Sequence, residues 1–132
     1  VDTTNHKENK MKKALIVKPS GEYEVKEFDD TNSLSTLQNA VGGLVQPIDI
    51  LDGRATMWLN EEFLLLPGLE ENIMASAIYE QEFNLSNQRL LGNAIFTGGT
   101  DENGFTLGLN EQMVDLITQM AEYTKMLQDA AN

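Results

Sequence analysis

Two β-type runs, Ala14–Pro19 (ALIVKP) and Glu22–Phe28 (EYEVKEF), are separated only by Ser20-Gly21. A connection that short commits the start of the patterned chain to a β-hairpin. The second run alternates, which places Tyr23, Val25 and Phe28 inward and Glu22, Glu24 and Lys26 in water. A helix follows, capped by Asn32 or Ser33, with apolar positions at Leu34, Leu37, Ala40 and Val41 and a stop at Gly42-Gly43. Leu44–Ile50 then reads as a strand. Pro47 lacks a ladder donor, so that strand belongs at an edge or carries a bulge. After the Asp52-Gly53 turn, Ala55–Asn60 is a further strand, and the apolar run Phe63–Leu66 beyond it is broken by Pro67-Gly68. A shorter helix is expected over Asn72–Phe83 with Ile73, Met74, Ala77 and Ile78 on its apolar side. A strand over Arg89–Thr97 and a loop over Gly98–Gly104 come next, and then a long helix over 110–131 capped by Asn110. Strands and helices without regular βαβ alternation point to an α+β fold. The expectation is a small, mostly antiparallel sheet with two or three helices on one side, the last long and amphipathic.

The 132 residues suit one domain, read as 11–132, preceded by a polar segment, residues 1–10, that reads as a disordered tail or expression remnant. Covalent catalysis is hard to build from this chain. The one histidine, His6, lies in that polar segment and cysteine is absent, so Ser-His-Asp, Cys-His and the common zinc arrangements have no members in residues 11–132. The expectation is therefore no catalytic residue, no metal site and no cofactor. Paired carboxylates at Asp29-Asp30, Glu61-Glu62 and Glu70-Glu71 are read as solvated turns. The loop Gly98–Gly104 (GGTDENG) has neither the Lys-Ser/Thr ending of a phosphate loop nor the register of a calcium loop, so it reads as a glycine-rich turn. Trp58 and Tyr79 are residues that would line a small-molecule pocket, although core packing is the default for Trp58. No apolar run approaches the ~20 residues of a membrane span and no secretory pattern is present, which favours the cytoplasm.

Charge is the outlying property. The chain carries −12, and from Glu27 onward 17 acidic residues face only Arg54, Arg89 and Lys125, a net of −14. Such a surface repels nucleic acid and anionic membranes and attracts a basic protein surface. On the last helix Met113, Leu116, Ile117, Met120, Thr124 and Leu127 form one broad stripe, while Glu111, Asp115, Glu122 and Asp129 fall in a narrow band opposite. Asp115, Glu122 and Asp129 recur about 10 Å apart along the axis. These four carboxylates are the candidate partner-binding residues. Met113, Met120 and Met126 also permit a homodimer through this helix.

The segments Met11–Phe28, Leu37–Ile50 (with VGGLVQPIDI), Trp58–Glu62 (WLNEE) and Gly92–Gly99 (GNAIFTGG) resemble the DUF3846 family. The resemblance spans Met11–Leu107 and leaves the final helix outside. It departs at Asn72-Ile73 and Ala75-Ser76, where the family's pattern has Asn-Pro and Ala-Thr. It implies no catalytic assignment but a setting: phages and conjugative elements, often near anti-restriction genes, with a host-cell cytoplasmic location. With the charge, it points to a non-enzymatic acidic protein that blocks a host defence nuclease, of restriction or CRISPR type, at its basic nucleic-acid-binding surface. The alternatives are a sponge for a signalling nucleotide, with its pocket near Trp58 or Gly98–Gly104, or an assembly component of the mobile element.

Overall fold

A computed structural model describes residues 11–131; the expectation for residues 1–10 lies outside the described residues. The elements are β1 (Lys12–Val17), β2 (Tyr23–Phe28), α1 (Ser33–Val41), β3 (Val45–Ile50), β4 (Ala55–Asn60), α2 (Ile73–Phe83), β5 (Ala94–Gly98) and α3 (Glu111–Ala131). Five strands form one antiparallel sheet in the order β2-β1-β5-β4-β3. Two hairpins thus flank β5, the last strand in sequence, and the α+β reading holds.

The helices do not all lie on one side. Leu15, Val17, Ala55, Met57, Leu59, Ala94 and Phe96 point to one face, where α2 and α3 cover them with Met74, Ala75, Met113, Ile117 and Ala121. Ala14, Ile16, Phe28 and Ile95 point to the other, under Leu37 of α1 with Trp58 packed alongside. The reason is in the strands themselves. β1 and β5 carry apolar residues at successive positions, so both faces need cover, as in any strand buried on two sides.

The edge strands behave differently. In β2, Val25 opposes Leu15 and Tyr23 opposes Val17, so both point toward the α3 side as expected, yet both remain exposed because β2 overhangs the helices. Phe28 is buried, but on the opposite face, against α1. In β3 the edge position expected from Pro47 is observed. The Glu61 N–H donates to the Leu44 carbonyl, which fixes the alternation of the β3–β4 ladder and turns the backbone of Val45, Pro47 and Asp49 outward. The missing donor of Pro47 therefore falls on the open edge, which blunts strand addition there.

Other expectations need correction. The strand expected over Arg89–Thr97 is confined to Ala94–Gly98; Leu91 makes an isolated bridge to Glu71, and Gly92 turns the chain at φ +90°. The run Phe63–Leu66 forms a 3-10 turn at Phe63–Leu65 and leaves Leu64 and Leu65 in solvent. In α2 the buried residues are Met74, Ala75 and Ser76, whereas Ile73 and Ala77 are exposed. Asn32 does occupy the position before α1, but its Oδ1 accepts from the Asp29 N–H (2.8 Å), not from the helix. Asp29 in turn accepts from the Thr31 hydroxyl (2.5 Å) and from the N–H groups of Thr31 and Asn32, which hold its carboxyl below the ordinary 3.8, with Lys12 adding a smaller effect. None of the described helices is long and apolar enough to cross a membrane.

Candidate functional site

The long helix starts as the sequence indicated: Asn110 Oδ1 accepts the Met113 N–H at 2.8 Å, satisfying a donor that the first turn otherwise leaves free. Its buried side is rotated from the expected stripe. Met113, Ile117 and Ala121 are buried, and Leu116 and Leu127 are exposed. The flank toward which it is rotated meets a segment far away in sequence. The β1–β2 turn abuts the helix at Lys125, so closely that a Cβ on Gly21 would come within 2.9 Å of the Lys125 Cβ, and Gln128 Nε2 donates to the Pro19 carbonyl. Of the methionines, Met113 is buried and Met126 exposed, so they do not form one stripe.

Glu111, Asp115, Glu122 and Asp129 are all solvent-exposed, on one line of α3. Two of them already have partners. The Tyr23 hydroxyl donates to Glu122 Oε2 at 2.6 Å, and Lys125 pairs with Asp129 at 3.4 Å, one helical turn away. The Tyr23 bond fixes the Glu122 carboxylate and raises the phenol above its ordinary 10.0, chiefly because the neutral hydroxyl is the donor. A shallow hollow of about 440 Å³ beside Glu122 is bordered by Glu22, Glu24 of β2, Lys18 and Lys125. The carboxylate line of α3 is thus a ridge bordered by the overhanging hairpin.

A second concavity was not foreseen. Between β3 and α2 lies a cleft of about 570 Å³ lined by Pro47, Ile48, Phe63, Tyr79, Phe83 and Leu90, with Asp49 and Arg89 among its polar residues. Tyr79 and Phe83 lie one turn apart with ring centroids 4.8 Å from each other and planes tilted by 48°. The available signal was that the apolar residues of α2 do not keep to one side, which strands some of them away from the core. Trp58 does not join Tyr79 there. The sheet separates them, and the Trp58 indole N–H donates to Thr97 Oγ1 at 2.9 Å on the α1 side.

The Gly98–Gly104 segment is a turn closed by a Thr100–Thr106 bridge, its Asp101 carboxylate accepting from the Asn103 and Phe105 N–H groups. Gly98 is required by packing, since a Cβ would stand 2.3 Å from the Gly108 carbonyl oxygen. A hollow of about 300 Å³ beside it is lined by Arg54, Gly99 and Asn110, among others. The carboxylate pairs are dispersed: Asp30 binds Lys12, and Glu71 meets Arg89 at 3.4 Å. Among the described residues, no three His, Cys, Asp or Glu side chains are grouped to hold a metal ion.

A family model described as a domain of unknown function (DUF3846) matches residues 11–128. The match includes most of α3, which the motif-level resemblance ending at Leu107 left out. No curated protein and no solved structure matches the chain.

Proposed function

The chain belongs to the DUF3846 family, and from that premise we propose that it is a non-catalytic acidic binding protein of a phage or mobile element. Its ridge occupies basic surface on a nucleic-acid-binding host protein, a restriction or CRISPR nuclease being the target class. The observation that carries this reading is the line of exposed carboxylates on α3. Magnitude shapes it. From Glu111 to Asp129 the helix rises about 27 Å, over which duplex DNA presents roughly 16 phosphate charges. Four carboxylates cannot reproduce that density. The ridge instead suits a few defined Lys or Arg side chains, with the net −12 steering the approach.

The test is inhibition of DNA cleavage across a panel of purified restriction and CRISPR nucleases, with binding measured at low and high salt. Binding should weaken with salt and be lost when Glu111, Asp115, Glu122 and Asp129 are changed to Lys. Affinity indifferent to both would sink the mechanism.

The cleft beside β3 favours a second reading, a small-molecule sponge. Its ~570 Å³ lies in the range of ligand pockets, and Tyr79 and Phe83 offer aromatic faces. Arg89 is the cation among its lining residues and is shared with Glu71, so a planar ligand of low charge fits better than a polyphosphate. A flat thermal-shift response across nucleotides and nucleobases argues against it.

A further inference from the structure

On α3, Leu116, Met120, Tyr123 and Leu127 recur at intervals of four, three and four residues, the spacing of a helix–helix seam. Three of them are substantially exposed, Leu116 at 38%, Tyr123 at 58% and Leu127 at 52%, while Met120 packs partly against the core. On the outer side of this row stand Gln112, Gln119 and Met126, the last 59% exposed. At ~100° per residue these positions and Ala130 span about 120° of the helix, and none is charged. The neighbouring helix continues the property: α2 touches α3, carries no charge from Ile73 to Tyr79, and exposes Ile73 and Ala77. A molecule of net charge −12 thus has a charge-free apolar band along its longest helix.

We propose that this band is the contact face of a symmetric homodimer, in which two copies of α3 pack along the Leu116–Leu127 row. The charge pattern selects a second copy as occupant. In a two-fold dimer each patch meets itself, so any face with a carboxylate excess sets like charges against each other. The band avoids that opposition, and its four-three-four spacing is complementary to an identical helix. The four carboxylates of the ridge occupy a different sector of α3, so the dimer leaves both ridges facing outward. The inference is independent of the proposed function, and salt separates the two. Screening weakens attraction between the ridge and a basic partner but strengthens association of two copies that each carry −12.

The helix face is about 31 Å long and, with the exposed part of α2, is modest beside the ~800 Å² per partner of a standard interface. A reversible dimer with a micromolar dissociation constant is expected. Sedimentation of the full chain from about 5 to about 500 μM should show the mass rising from 14.7 kDa toward twice that value, at lower concentration in about 0.5 M than in about 0.05 M salt. Tyr123→Lys and Leu127→Lys, at exposed positions, should keep the helical circular dichroism and abolish the dimer. These changes lower the net negative charge, so if dimerisation were limited by overall repulsion alone they would strengthen it. Val25→Lys, at an apolar site on β2 that is 47% exposed, should leave the dimer intact. A monomeric mass at every concentration and both salts overturns the proposal, and so does a dimer that survives both α3 substitutions.

Discussion

Asn72 ties three parts of the fold together through one side chain. It is buried, its Oδ1 caps α2 by accepting the Ala75 N–H, and its Nδ2 donates to the carbonyls of Val17 and Gly92, each at 3.0 Å. One side chain therefore joins a helix start, a central strand and the turn before β5. Asn72→Ala removes the cap and two further buried hydrogen bonds, and should lower unfolding free energy by about 2–4 kcal/mol. Asn72→Asp keeps the cap acceptor but points a second oxygen at those carbonyls, and should be worse; chemical denaturation reads both. Ser76 repeats the pattern, its Oγ accepting the Leu90 N–H at 2.8 Å. The two positions where the chain departs from the family pattern thus become intelligible. Ile73 stands at the first helical position, where proline is tolerated, and a threonine at 76 would bring the same hydroxyl. Tyr23 gives a test by pH. Its neutral hydroxyl donates to Glu122, so its folded-state pKa lies above 10.0; the contact is complete below that pH and is lost as pH rises through the raised value. By NMR the Tyr23 titration should return toward its ordinary midpoint in Glu122→Ala, and an unchanged midpoint would discount the bond. Neither role was legible in the sequence, because Tyr23 and Glu122 are 99 positions apart and nothing local pairs them.

Among the elements, what local chemistry determines was readable and what docking determines was not. The Ser20-Gly21 hairpin, the edge placement of β3 from Pro47 and the Asn110 cap each depend on a few adjacent residues, and each is present. The rotation of α3 and the bridge at Leu91 depend on distant partners, and periodicity missed both. Gly21 is where these two kinds of information meet. Its φ of +91° serves the turn, and its missing Cβ lets the turn sit on Lys125. Gly21→Ala should therefore cost about 1–3 kcal/mol, and more than Gly53→Ala, which also has positive φ but no neighbour within 4 Å. Equal losses in thermal melts would show that the turn's seat on α3 contributes nothing. The ridge shares this dependence, since Tyr23 reaches Glu122 only while the hairpin stays docked.

At the scale of the whole molecule, composition announced the charge but not its distribution. Seventeen carboxylates after residue 26 are visible in the sequence, whereas the charge-free sector of α3 becomes meaningful only once its buried side is known. Self-repulsion at −12 opposes compactness, so moderate salt should raise the melting temperature by a few degrees. A melting temperature indifferent to salt would mean that the carboxylates are too dispersed to repel one another. The antiparallel sheet also divides the interior into two apolar compartments that share no side chain. Trp58, the lone indole, borders the smaller of them, tethered to Thr97 beneath α1. Intrinsic emission is consequently a spectator of one compartment: it records the departure of α1 and says little about α2 and α3. If the two layers loosen at different temperatures, fluorescence and far-ultraviolet ellipticity will trace different melting curves, and the gap between them measures how strongly the sheet couples its two sides.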